Sequence, residues 1–433
     1  MRGATLIFHG NRLKPYTIYL LLSGVTAFAQ YTIFTINSVY LVEIVRLNPL
    51  QLVLVGTMLE GAAFICQVPT GVIADVFSRR LAVIIGTFLV GAGFLLEGTV
   101  PRFDTVLLAQ VVWGIGATFT SGAEEAWIAH EIGEEHVGKA FMRSTQIGQL
   151  ATLISVPVSV GLASLRINLP IIVGASVLLG LGLFLLLFMP EHNFHTKPRE
   201  ERYSWKAMGQ LMIDGGKAVR QSPVLITILS ITFFAGMASE GFDRLQTAHF
   251  INDFVFPSLG QLKPVVWFGI INIVGTLLVL ATTEIVKRRV DINSHQAVVS
   301  TLFAFNALLM ASIIVFGLAG NFALALVAFW SASVCRRADV PFYMTWLTRN
   351  TDARVRATII SMSGQVDAIG QIAGGPVIGL VGNIVSIRAA IAATGIILSP
   401  NLLLFARSMG QGKHAGVIVE TEEESRPVAT PLP

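Results

Sequence analysis

Runs of about 20 apolar residues recur along the whole chain, and each is long enough to cross ~30 Å of hydrocarbon as a helix rising ~1.5 Å per residue. Hydrocarbon offers no partner to a backbone N–H or C=O, so each run must satisfy its own backbone as an α-helix. Twelve spans are expected, at 15–45, 49–76, 80–100, 104–128, 139–166, 168–190, 223–250, 264–287, 296–317, 321–348, 356–381 and 384–406. Six precede and six follow the one long polar stretch, Glu191 to Ser222. That stretch carries Lys197, Arg199, Arg202, Lys206, Lys217 and Arg220, and its Trp205 to Val219 part could lie as an interfacial helix. Only 13% of the 433 residues are charged and 53% are hydrophobic, with a mean hydropathy of +0.70. The charged fraction is about half that of a soluble domain. The expected architecture is an all-α membrane protein divided as 1–190, a cytoplasmic linker 191–222, 223–407 and a tail 408–433. The tail, with Glu420 to Glu424 and late prolines, is expected to be disordered.

Several classes of function are excluded. The net charge of +4 belongs to topology, and no nucleic-acid partner is expected of a chain with so few exposed segments. Cys66 and Cys335 both lie inside apolar runs, which supports neither a disulfide framework nor a zinc site. His130 and His136 lack metalloprotease spacing, and no Walker lysine, dinucleotide fingerprint or haem motif sits in a suitable context. No metal, cofactor or enzymatic activity is therefore expected, and any work done must draw on a gradient. The short tail with Arg2, Arg12 and Lys14 precedes a run too long for a signal-peptide core, so span one is expected to remain uncleaved.

Basic residues favour the cytoplasmic side of a membrane. With both termini inside, 22 of the 30 Lys and Arg residues fall on cytoplasmic segments. Six fall outside (Arg46, Arg102, Arg166, Arg244, Lys263, Arg388), and Arg336 and Arg337 fall within a span. This bias places the joint between spans two and three, Gly71-Val-Ile-Ala-Asp75-Val-Phe-Ser-Arg79-Arg80, in the cytoplasm. Gly71 and Asp75 share a helix face, where small residues would let another backbone approach closely. Gly-x-x-x-Asp-x-x-x-Arg-Arg between a second and a third apolar helix resembles the loop signature of the major facilitator superfamily.

The resemblance implies two pseudo-symmetric six-helix bundles around a central site. It also implies that Asp75 and Arg79 help hold the bundles together on the cytoplasmic side, with Glu124 or Glu125 completing the charge cluster. A weak internal repeat agrees: a shift of 219 aligns Trp127, Ser144, Gln146, Pro157 and Val158 with Trp346, Ser363, Gln365, Pro376 and Val377. The resemblance has gaps. Span four reads Gln110-Val-Val-Trp113-Gly114-Ile-Gly116 where efflux branches often carry an arginine. The Gly-Pro element of antiporter span five shrinks to Pro157 and Gly161, while span eleven holds the fuller Gly374-Gly375-Pro376-Val-Ile-Gly379.

An ionisable side chain at membrane depth costs roughly 2.5–3.5 kcal/mol on insertion scales, so each demands a reason. Glu60, Asp243 and Asp367 are the candidate proton carriers; Arg336, Arg337 and Asp339 cluster in span ten. The alternative is fixed pairing: Asp243 with adjacent Arg244, or a span-ten arginine with Asp339 or a span-seven carboxylate. Gln30, Tyr31, Asn37, Gln110, Trp113 and Gln365 join Arg336, Arg337 and Asp339 as candidate cavity residues, and Phe28, Phe34, Phe119, Phe233, Phe234, Trp330 and Phe342 could add aromatic walls. The same polar groups could instead bond neighbouring helices.

The expectation is a monomeric secondary transporter of the plasma membrane, exporting a small amphipathic or hydrophobic compound against proton entry. Nutrient uptake by proton symport is the alternative, and a non-transporting membrane sensor a third reading. Asp75→Asn is expected to abolish or sharply lower transport while leaving the protein inserted; full activity in vesicles carrying that variant would remove the gate role.

Overall fold

A computed structural model describes residues 13–192, 213, 215–292, 294–352 and 354–409. The tail from 410, most of the expected interfacial helix at Trp205 to Val219, and the basic residues Arg2 and Arg12 lie outside the described residues. The described residues are helical apart from turns and one antiparallel bridge between Leu259 and Leu262.

Seven helices precede the polar stretch: α1 Pro15–Glu43, α2 Pro49–Val76, α3 Arg79–Thr99, α4 Phe103–Thr120, α5 Ala123–Ile132, α6 Glu134–Leu165 and α7 Leu169–Phe188. After it come α8 Pro223–Asp253, α9 Val266–Arg289, α10 His295–Leu318, α11 Phe322–Ala338, α12 Val340–Arg349, α13 Arg356–Ile384 and α14 Ile387–Ile397, and a turn at Leu398 leads into a last helical stretch at 399–409. Helix starts are written in the sequence. Asn48 and Gln51 form a reciprocal capping box before Pro49. Ser78, Ser222, Ser294, Asn321 and Ser386 each accept the N–H three residues on.

Ten helical stretches among the described residues are long and apolar enough to cross a membrane. Expected spans ten and eleven are not among them, for a chemical reason. Span ten is divided at Asp339 between α11 and α12, with Arg336 and Arg337 in the last turn of α11. Span eleven is one helix, α13, rich in glycine and carrying Gln365, Asp367 and Gln371. Span four, expected to be continuous, also breaks: α4 ends at Thr120 and α5 begins at Ala123, because Gly122 turns the backbone left-handed at φ 76°.

The chain divides into two compact units, one of residues 1–204 with 257–273 and one of 205–256 with 274–433. Segment 257–273, which the sequence reading assigned to the second half, groups with the first unit. The first unit's inner core joins Ile18, Leu22, Val83, Trp127 and Leu185; the second's joins Leu225, Val299, Phe342, Trp346 and Phe405.

The repeat positions occupy like places in the two units. Trp127 and Trp346 are each 1% exposed and lie in the short helix that follows the break, α5 or α12. Ser144 and Ser363 are both buried beside a tyrosine hydroxyl, Tyr19 at 3.4 Å and Tyr343 at 2.6 Å. Pro157 and Pro376 both lie inside long helices.

Within the second unit, α8 and α13 meet backbone to backbone. A Cβ at Gly370 would run into the Phe233 carbonyl, one at Gly374 into the Met237 backbone, and one at Gly236 into Asp367. Close approach of this kind replaces the hydrophobic drive that lipid removes. Gly71 is different: among the described residues nothing stands within 4 Å of a Cβ placed there. Gly374→Val should therefore force the helices apart at a cost of about 1–3 kcal/mol and lower the thermal midpoint of the purified protein, whereas Gly71→Ala should leave it unchanged; size-exclusion chromatography after a heating series reads both.

Candidate functional site

The charged joint between α2 and α3 is held by bonds within the first unit. Arg79 donates from Nη2 to Asp75 Oδ1 at 3.1 Å, one helical turn back, and from Nη1 to the Ala126 carbonyl of α5 at 3.1 Å. Arg80 donates to the Leu186 carbonyl at 2.7 Å. Glu191, just past α7, accepts the Ser78 hydroxyl at 2.6 Å and the Arg80 backbone N–H at 3.1 Å, placing a carboxylate at the positive end of α3. Trp127 Nε1 donates to the Pro190 carbonyl at 2.8 Å, and the His192 backbone N–H to Glu131 at 2.7 Å. The chain leaving α7 is thus pinned beside the motif, a role for Glu191 that the sequence pattern did not disclose. Glu124 and Glu125 lie in the first turn of α5, where a negative charge suits the helix dipole. The contact that α5 gives Arg79 is the Ala126 carbonyl.

Deeper in the first unit, Gln110 is 1% exposed and donates to Glu97 Oε2 at 2.8 Å, while its own Oε1 accepts the Trp113 indole N–H at 2.9 Å. Tyr40 donates to the Glu97 backbone carbonyl at 2.7 Å. Trp113 stacks on Phe94 at 5.1 Å, and Phe34 lies 5.9 Å from Trp113. Glu97 is fully buried. The sequence reading passed over it because it falls near the expected end of span three, where an acid can reach water. Of the other residues named there, Asn37 is buried, Gln30 and Glu60 are half-buried, and Tyr31 is 48% exposed.

The second unit holds the densest set of charges. Arg336 of α11 grips Asp243 of α8 with both Nη atoms, at 2.5 and 2.7 Å. This fork geometry is the strong form of an Arg–carboxylate contact. Asp243 does not pair with adjacent Arg244, which donates to Glu240 at 2.8 Å, one turn back on α8. Neighbouring residues on a helix point about 100° apart, whereas residues four apart share a face. Asp367 of α13 accepts from Gln371 at 2.8 Å. Asp339 sits at the break between α11 and α12. Arg337 is exposed, and Gln365 is half-buried. Tyr343 Oη bridges Thr232 at 2.7 Å and Ser363 at 2.6 Å, tying α8, α12 and α13 together. The contact is a span-ten arginine on a span-seven carboxylate, one of the pairings open to these charges in the sequence.

A second cluster closes one end of this unit. His249 is fully buried; its Nε2 meets the Phe316 carbonyl at 2.9 Å and its Nδ1 meets Asp253 at 2.7 Å, while Arg388 donates to the other Asp253 oxygen at 3.1 Å. A lone histidine near the end of span seven carried no pattern that would have singled it out.

The Arg336 and Asp243 side chains are 34% and 43% exposed, so water screens part of their attraction. Removing either partner should still leave a charge stranded among apolar helices. Asp243→Asn or Arg336→Met alone should destabilise by roughly 1–3 kcal/mol, below the value for a fully buried pair, and the double variant by less than the two combined. Thermal unfolding of the four proteins closes that cycle.

Comparison with known proteins places this arrangement in a family. The family model described as Major Facilitator Superfamily matches residues 19–362. An uncharacterised MFS-type transporter of Bacillus subtilis (strain 168), YxaM, is 25% identical over 369 residues, covering 82% of this chain and 86% of that protein. Among solved structures, nucleoside transporter NupG superposes with a TM-score of 0.71 at 14% identity, over 92% of this chain and 100% of that one. A POT family transporter in complex with 5-aminolevulinic acid gives 0.70 at 11% identity, over 94% and 98%. The chain belongs to the major facilitator superfamily, and is a multi-pass membrane transporter rather than an enzyme.

Proposed function

We propose that this protein imports a small polar solute together with protons, by alternating access between two six-helix bundles, with both termini in the cytoplasm and the monomer as the working unit. The observation that carries this reading is the half-exposed Asp243–Arg336 pair, which sets fixed charges of both signs on facing helices of the second unit. A zwitterion or a strongly hydrogen-bonding solute can replace each half of such a pair; a hydrophobic compound cannot. Proton coupling fits the same place. Asp243, Asp367 and Glu240 crowd two guanidiniums, and adding a proton to one carboxylate would loosen the set. Glu60 of α2 is a further proton candidate. Solved structures of like fold are named as nucleoside and peptide transporters, and at 11–14% identity they speak to fold alone.

Under this reading the Asp75, Arg79 and Arg80 joint works as an inner-rim latch, with Glu124 and Glu125 at hand on α5. One observation favours the second reading, export of an amphipathic compound: Phe34, Phe94 and Trp113 form a continuous aromatic group in the first unit.

The test is a proteoliposome assay with an internal pH dye and a panel of nucleosides, short peptides, amino acids and lipophilic cations. Import with protons predicts that adding the right polar solute outside acidifies the lumen, and that an inward proton gradient drives its accumulation severalfold over equilibrium. Lumenal alkalinisation on addition of a lipophilic compound, with no response to any polar solute, would establish export instead. Asp243→Asn should weaken solute binding and lose gradient-driven accumulation.

A further inference from the structure

At the α11–α12 break, a small cavity of about 70 Å³ opens beside Asp339, with Ser239, Asn306 and Arg336 as its other polar lining. The backbone explains why space exists there. Pro341 brings no N–H to the carbonyl four residues before it, so the ladder loses a bond beside Asp339, which itself keeps helical dihedrals of −77° and −25°. Irregular backbone among membrane helices is tolerated where it lines a polar space.

What faces the cavity is rich in acceptors and poor in donors. Asn306 is 7% exposed, and its Oδ1 has no hydrogen-bond partner. The Ser239 hydroxyl gives its hydrogen to the Gly236 carbonyl at 2.9 Å, leaving its lone pairs for the cavity. Asp339 contributes a carboxylate. Arg336 has both Nη groups committed to Asp243. The surrounding charges are also unbalanced. Among the described residues, Glu240, Asp243, Asp339 and Asp367 have Arg244 and Arg336 as their nearby cations, and Arg337 is exposed. The other ionisable groups near Asp339 are Cys335 on α11 and Tyr343 on α12, and α10 brings the uncharged Asn306.

We propose that this cavity binds one small monovalent cation: a sodium ion held by Asp339, Asn306 Oδ1 and Ser239 Oγ, or a proton on Asp339 donated across to Asn306 Oδ1. A water needs about 10–15 Å³, so the cavity admits such an ion with a few waters and excludes an organic solute. The assignment of this cation to coupling rests on the uptake reading above; its binding does not.

The experiment therefore uses no solute. The full-length protein, purified in detergent, is unfolded thermally at constant ionic strength in sodium or choline chloride, each at pH 5.5 and pH 8. If sodium is the occupant, it raises the midpoint at pH 8 by about 3–5 °C over choline, and Asp339→Asn and Asn306→Leu abolish the rise. If the proton is the occupant, sodium has no effect, and the gain on acidification seen in the wild type shrinks in both variants. Asn306→Ser, which keeps a small acceptor, guards against misfolding of the leucine variant and should retain a weakened response. A wild type that responds to neither cation, or variants that respond as the wild type does, overturns the proposal. Cation binding without solute-coupled accumulation in proteoliposomes would instead sink the uptake reading and leave this site standing.

Discussion

A charge among apolar helices has no water to turn to, so its partner must come from the protein, and that requirement organises the second unit of this transporter. Arg336 cannot be left alone on α11, and Asp243 cannot be left alone on α8, so the two helices must present these groups to each other in register. The bidentate contact fixes distance and rotation together, because a guanidinium fork accepts a carboxylate in one plane. Glu240 and Arg244 satisfy each other on one helix and leave Asp243 free to reach across. The glycine contacts of α13 with α8 then make structural sense: they set the depth at which α8 lies and hence where Asp243 stands.

The same absence of water governs the backbone and the small polar side chains. Threonines and serines throughout the spans return their hydroxyl protons to a carbonyl three or four residues back, as Thr32 does to Phe28, Thr87 to Val83 and Thr394 to Ala390. Span ten meets Pro341 where Asp339, Asn306 and Ser239 line one cavity, and span four breaks at Gly122, one turn before the carbonyl that receives Arg79. The segments that follow carry the buried tryptophans of the repeat, Trp346 and Trp127.

How much of this was legible in the sequence depended on the range of the interaction. Apolar run length placed the helices, because the hydrocarbon thickness that sets it is a local constraint. Capping at Asn48, Ser78 and Asn321 is equally local. The Glu240–Arg244 bond was readable from its spacing of four, yet adjacency drew attention to Asp243 and Arg244, which a helix points apart. The Asp243–Arg336 pair spans 93 residues, so sequence could name the class of partner but not the residue. Glu97 and His249 were missed because each lies near the expected end of a span, where a polar group ordinarily escapes to water. Burial behind Gln110 and Tyr40, or beneath Phe316, is a tertiary fact with no local signature. The division of span ten was foreseeable in principle from Arg-Arg-Ala-Asp-Val-Pro at 336–341, since a proline and three charges in six residues cannot continue an apolar helix.

The two charged regions differ in what holds them, and this bears on which can move. At the rim, Arg79 and Arg80 bond backbone carbonyls and one half-exposed aspartate. The Arg79–Asp75 bond is a single one, with side chains 18% and 48% exposed, and such a pair contributes about 0–1 kcal/mol. Arg336 holds Asp243 through both Nη atoms at similar exposure, so what sets this pair apart is its fork geometry. Under the proposed uptake reading, the fork gives way when an incoming charge replaces the one it loses, so the state of the Asp243–Arg336 pair follows the occupancy of the second unit's polar site.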